Sequence, residues 1–154
     1  MPSVFSHAVF SSALGAAYAR GPMPRRFWVM AALCSVVPDL DVVAFAFGVP
    51  YGSMWGHRGI THSLAFAVLL GCAMAAVAKT NRSFASLAVF FTAATASHLA
   101  LDMLTNGGLG VAALAPFSAE RFFAPWRPIE VSPIGVGFFS ARGMAVLASE
   151  ILWV

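Results

Sequence analysis

The chain has 154 residues, 60% hydrophobic and only 10% charged, whereas a soluble domain carries about a quarter charged residues. So few charges cannot keep a surface wet, which excludes an ordinary soluble globule and asks for lipid around the outside. The net charge of +3 comes from nine Lys and Arg against six acids, but the cations are scattered, with no run longer than Arg25-Arg26. No nucleic-acid partner is expected.

Four apolar stretches follow in chain order: Val4 to Ala19, Phe27 to Phe47, His62 to Ala78 and Phe84 to Leu104. Each approaches the roughly 17–25 residues that cross a hydrocarbon core, the first and third being short. The first ends in Ala17-Tyr18-Ala19, which resembles a cleavage site, yet no Lys or Arg precedes it, so a retained helix is expected. Cys34 and Cys72 lie inside apolar stretches and read as packed small hydrophobes rather than a disulfide or thiolate ligands. A fifth stretch, Gly143 to Val154, is too short to cross alone.

Between the fourth and fifth stretches, Thr105 to Arg142 carries Pro116, Pro125, Pro128 and Pro133 with Trp126 and several Phe. Aromatic residues favour the membrane interface, so this segment is expected to be an ordered cap there. The expected fold is all-α, a polytopic membrane bundle of four to five helices forming a single domain over 1–154. Short basic loops stay cytoplasmic. Arg20, Arg25, Arg26, Lys79 and Arg82 fall on one side if every stretch spans. Arg58, Arg121, Arg127 and Arg142 fall on the other, which is expected to face the periplasm or exterior.

Asp39, Asp41 and Asp102 lie within apolar stretches, and Glu150 lies in the last one. An aspartate at the centre of a membrane helix costs about 2.5–3.5 kcal/mol, so three need a compensating partner. A divalent cation supplies one, since structural zinc sites reach apparent binding energies of about 10–16 kcal/mol. Four spans place His7, His57, His62 and His98 at the same membrane face as Asp39, Asp41 and Asp102.

His98 and Asp102 are four apart and share one helix face, which Asn106 continues. Asp39 and Asp41 are two apart, about 200° around a straight helix, but Pro38 breaks the ladder and allows both to aim inward. One of the two is expected to ligate and the other to orient a ligand. His57 belongs to the loop and His62 to the start of the third stretch. Arg58 between them is a phosphate or carboxylate clamp, or a residue reaching for headgroups.

The order His7, Pro38-Asp39-Leu40-Asp41, His57-Arg58-Gly59-Ile60-Thr61-His62-Ser63 and Ser97-His98-Leu99-Ala100-Leu101-Asp102 resembles the YdjM-type family. Pro116-Phe117, Phe123-Ala124-Pro125-Trp126 and Val131-Ser132-Pro133 are similar to its C-terminal half. That family is described as LexA-binding, inner membrane-associated, metal-dependent hydrolases. The resemblance implies embedding in the cytoplasmic (inner) membrane and a hydrolase activity.

A more distant likeness is to zinc-dependent phospholipase C and its nuclease relatives, which hold clustered zinc ions on helices. It implies His7, Asp39 or Asp41, His62, His98 and Asp102 as ligands here. The His-x-x-x-Glu element of that group is absent, so a further metal would need Glu150 or Glu130.

Together these features point to a membrane hydrolase cleaving a phosphoester of a lipid or lipid-linked substrate. One or two ions are expected, zinc by its mixed nitrogen and oxygen ligands, with manganese or iron also fitting. A metal-activated water attacks, the aspartate that does not ligate serves as general base, and Arg58 steadies the phosphate, with His57 as a further candidate. The alternatives are a metal-ion or proton transporter and a non-catalytic membrane protein that binds a partner.

Overall fold

The computed structural model describes residues 2–151. Five α-helices are present among them: α1 (Val4–Tyr18), α2 (Arg25–Val36), α3 (Leu64–Val77), α4 (Phe84–Met103) and α5 (Ala141–Glu150). Four of the five open on a serine cap: Ser3, Ser63, Ser83 and Ser140 each accept from the backbone N–H three residues on. α2 opens on Pro24, whose missing N–H costs nothing at a helix start.

The second stretch changes character where proline predicts. Pro38 cannot donate to the helical ladder, and α2 stops at Val36. The chain continues as a 3-10 helix over Val37–Phe47, closed by Gly48 at φ 75°. Such runs rarely exceed three or four residues, and a long one marks a strained or functional segment. This one carries Asp39 and Asp41, both buried.

Among the described residues, two helical segments are long and apolar enough to cross a membrane: Arg25–Phe47, with 23 residues, and Phe84–Met103, with 20. α1 and α3 have 15 and 14 residues, about 21–22 Å at 1.5 Å per residue, against a hydrocarbon core of about 30 Å. Length and composition alone therefore support two of the four expected spans.

Helices approach through small residues, as expected where lipid weakens the hydrophobic drive between them. α1 turns Ser11 and Gly15 inward, with Ser11 Oγ donating to the Ala31 carbonyl at 2.6 Å. At Gly71 of α3, a Cβ would stand 2.6 Å from the Thr92 backbone nitrogen. One half of the bundle is filled by Phe27, Met30, Ala31, Phe90 and Phe91, with Tyr18 and Phe27 stacked on Phe90 at 4.6 and 4.9 Å. Both cysteines are free thiols, Cys34 within this core.

The segment after α4 carries one short 3-10 helix, Gly135–Phe139, and is otherwise irregular. Isolated bridges join Thr105 to Ile129 and Val111 to Phe122. α5 is fixed by Glu150, which accepts from the Ser3 N–H at 2.6 Å, from the Ser3 hydroxyl, and from Ser6 Oγ at 2.6 Å.

Candidate metal centre

At the end of the bundle away from the aromatic core, side chains from four elements converge. His7 comes from the first turn of α1 and Asp39 and Asp41 from the 3-10 segment. His57 and His62 come from the loop before α3, and His98 and Asp102 from the last turns of α4. All are buried.

The tightest group is Asp39, His62, His98 and Asp102. His62 Nε2 lies 3.0 Å from His98 Nε2. Asp39 Oδ1 lies 3.4 Å from each of these nitrogens, and Asp102 Oδ2 lies 3.4 Å from His62 Nε2 and 3.9 Å from His98 Nε2. A tetrahedral ion with bonds of roughly 2.0–2.2 Å needs donors about 3.3–3.6 Å apart. Three of the five separations fall in that range, while the His62–His98 pair is closer and the Asp102–His98 pair wider, so small side-chain shifts would complete a coordination shell.

Proton bookkeeping points the same way. A carbonyl only accepts, so His98 Nδ1–H donates to Ser35 O at 2.6 Å and its Nε2 carries a lone pair. His62 Nδ1 stands 3.1 Å from the Asp41 carboxylate, which fixes its proton there. The two Nε2 atoms then face each other at 3.0 Å, a contact that either a proton held between the rings or a cation bound by both satisfies. Both Asp39 oxygens and both His7 ring nitrogens are buried with no hydrogen-bond partner. His7 stacks on His98 with centroids 3.8 Å apart and places Nε2 3.6 Å from Asp102 Oδ1. Such orphaned groups are costly, and a divalent cation fits them.

Asp41 does different work. Its carboxylate receives His57 Nδ1 at 2.7 Å, Thr61 Oγ1 at 2.6 Å and the Arg58 N–H at 3.2 Å. With His62 Nδ1 also on it, Asp41 holds the imidazoles in place, as carboxylates behind ligating histidines do. It also forms a second possible ion-holding group with His57 and His62, and His57 Nε2 is buried without a partner.

Arg58 is fully buried and engages Asp102 Oδ2 through Nε at 3.0 Å. Its other donors reach Gly107 O, Leu109 O and Thr105 Oγ1. Of the roles considered from sequence, the carboxylate clamp is the one its geometry serves; it neither reaches for headgroups nor presents an open fork to a phosphate. Its backbone sits at φ 61°, a left-handed position uncommon for a side chain of this size. The flanking turn is equally constrained, since a Cβ on Gly59 would stand 2.1 Å from Met54 O.

Asn106 leaves the α4 face and accepts from the Val131 N–H at the surface. Glu130 is exposed and Glu150 is tied to Ser3 and Ser6, so neither joins the cluster.

The sequence reading missed Arg121, half-buried rather than a free loop charge. Its guanidinium donates to the carbonyls of Tyr51, Ser53, His57, Arg58 and Gly110, pinning the loop that carries two histidines. Burial lowers its pKa and raises that of the Tyr51 phenol beside it. Neither shift changes the charge of these groups at neutral pH. Thr61 was also missed, although its place beside His62 was a signal.

The sequence model of the family described as YdjM inner membrane protein matches residues 1–154. The chain is 39% identical over 157 residues to the Inner membrane protein YbcI of Escherichia coli (strain K12), covering 100% of this chain and 91% of that protein. No solved structure matches.

Proposed function

This chain belongs to the YdjM inner membrane protein family, and from that premise we propose a membrane-bound, metal-dependent hydrolase acting on a phosphoester of a lipid or lipid-linked substrate. The observation that carries the reading is the convergence of Asp39, His62, His98 and Asp102, close enough to hold one ion, with Asp39 also among the residues that line an apolar cavity.

His62, His98 and Asp102 would hold the ion, with His7 beside them; zinc suits this donor set, and manganese or iron are accommodated by it. A bound ion supplies Lewis acidity toward a phosphoryl oxygen and lowers the pKa of a water. Asp39 stands at the cavity wall with no hydrogen bond of its own. It would serve as a further donor to such an ion, or as the base that takes the proton of an attacking water. Asp41 and His57 keep His62 aimed, and Arg58 balances Asp102. The sequence suggests the general base at the aspartate that does not ligate; the reading proposed here departs from that by giving Asp39 both roles, and it has Arg58 hold Asp102 rather than steady a phosphate.

Transport is disfavoured by what lies beyond the site. The other half of the bundle is closed by Phe27, Met30, Phe90 and Phe91, with no acid, histidine, Lys or Arg among the described residues of that cluster, whereas an ion path needs polar groups through the full depth. A purely partner-binding protein would leave the buried donors without a purpose.

The test is elemental analysis of protein purified without chelator, paired with hydrolysis of phospholipid and generic phosphodiester substrates. At least one equivalent of transition metal per chain is expected. His98→Ala and Asp102→Asn should each lose metal and hydrolysis while the protein stays folded. Less than a tenth of an equivalent in folded wild-type protein defeats the metal reading; full metal without hydrolysis defeats the hydrolase reading alone.

A further inference from the structure

A cavity of about 300 Å³ lies between the start of α1, the 3-10 segment and the chain around residue 134. Its walls are apolar, among them Phe5, Leu40, Val42, Ile134 and Phe139, and its one ionisable group is Asp39. Asp39 lies at the boundary: its Oδ1 is 3.4 Å from the Nε2 atoms of His62 and His98, and the same residue lines the cavity. The cavity thus ends against the cluster at Asp39, whose carboxylate oxygens are themselves buried.

Two further observations specify what fills it. One wall belongs to the Arg25–Phe47 segment, long and apolar enough to span a membrane, and the rim residues Phe5, Leu40 and Phe139 are 61%, 59% and 83% exposed. In a membrane protein such a rim opens to hydrocarbon. The volume sits at the lower end of the roughly 300–1,000 Å³ of ligand pockets, room for part of one acyl chain and too little for two.

We infer that this groove seats part of one acyl chain of a membrane phospholipid, so that the phosphodiester of the same molecule lies at Asp39 and the metal centre while the second chain stays in the bilayer. The inference rests on the lipid-phosphoester reading above and names its substrate class. Because lipid tails are as apolar as the groove, the chain gains little by leaving the bilayer. The groove's contribution is orientation: it fixes which bond of the headgroup meets the site.

The experiment uses full-length protein in vesicles of phosphatidylethanolamine and phosphatidylglycerol. A trace of phosphatidylglycerol carries a photoactivatable diazirine midway along one chain, and adducts are mapped by mass spectrometry. Adducts are expected on Leu40, Ile134 and Phe139 in excess over Val89, a 70% exposed residue of α4 that reports ordinary lipid contact. Val42→Trp, which fills the groove, should cut the groove adducts at least fivefold and leave those at Val89 and the metal content unchanged. Ile134→Trp, outside any helix, serves where the first variant fails to fold. Groove adducts no denser than at Val89, or indifferent to both fillings, overturn the inference. Labelling needs no turnover, so groove adducts without hydrolysis would sink the hydrolase reading and leave the groove standing.

Discussion

Arg58 and Asp102 form a fully buried ion pair, and removing one partner of such a pair leaves an uncompensated charge. Arg58→Met is therefore expected to destabilise the protein by about 3–5 kcal/mol, measured by unfolding in detergent. Removing Asp41 has another signature. Asp41→Asn keeps the shape but weakens the hold on His57 and His62, so metal affinity should fall roughly 10–100-fold with the fold intact. Chelator competition reads that change. A variant that binds metal as wild type does would mean the carboxylate is a packing group only. The identities of these residues were legible in the sequence, because acids inside apolar stretches demand partners. Their division of labour was not: at three residues per turn, positions two apart stand about 120° apart, where an α-helix would put them about 160° apart. Only the 3-10 path shows Asp39 reaching the donor cluster and Asp41 the loop.

Among elements, the α3 and α4 contact is the closest. A Cβ on Gly71 would meet the Thr92 side chain at 2.3 Å and its backbone nitrogen at 2.6 Å. Backbone cannot yield as a flexible side chain can, so Gly71→Val should force the helices apart and cost about 1–3 kcal/mol. Because α3 starts just after His62 and α4 carries His98, the same variant should loosen metal binding, which thermal unfolding with and without EDTA separates from simple destabilisation. Helix positions were readable from apolar runs and serine caps. The pairing of α5 with α1 was not, since a glutamate in an apolar run gives no hint that serines at the other end of the chain receive it. Nor does an arginine in a loop announce that it collects five carbonyls, as Arg121 does.

For the whole molecule, the charge asymmetry sharpens once Arg58 and Arg121 are seen to be spent on internal contacts. Arg127 and Arg142 then remain at the site's end, against Arg20, Arg25, Arg26, Lys79 and Arg82 at the other. The positive-inside bias accordingly predicts that the metal centre faces the periplasm. Single cysteines at Gly52 and Asn81, both exposed, with Cys34 and Cys72 replaced by alanine, test it on intact cells. A membrane-impermeant thiol reagent should label the first and spare the second; the reverse pattern would turn the site toward the cytoplasm.

The Glu150 clasp on Ser3 and Ser6 has a bearing on biogenesis. Every donor of the candidate metal centre has been joined to the chain once residue 102 is made, whereas the groove wall near residue 134 and the carboxylate that fastens α5 are added later. At about 5–20 residues per second that interval lasts roughly two to ten seconds. During it the donors form a cup without its wall, open to ions. On the metal reading proposed above, metal supplied during synthesis is therefore expected to load the site more readily than metal added to the finished protein, which comparing the two by elemental analysis checks.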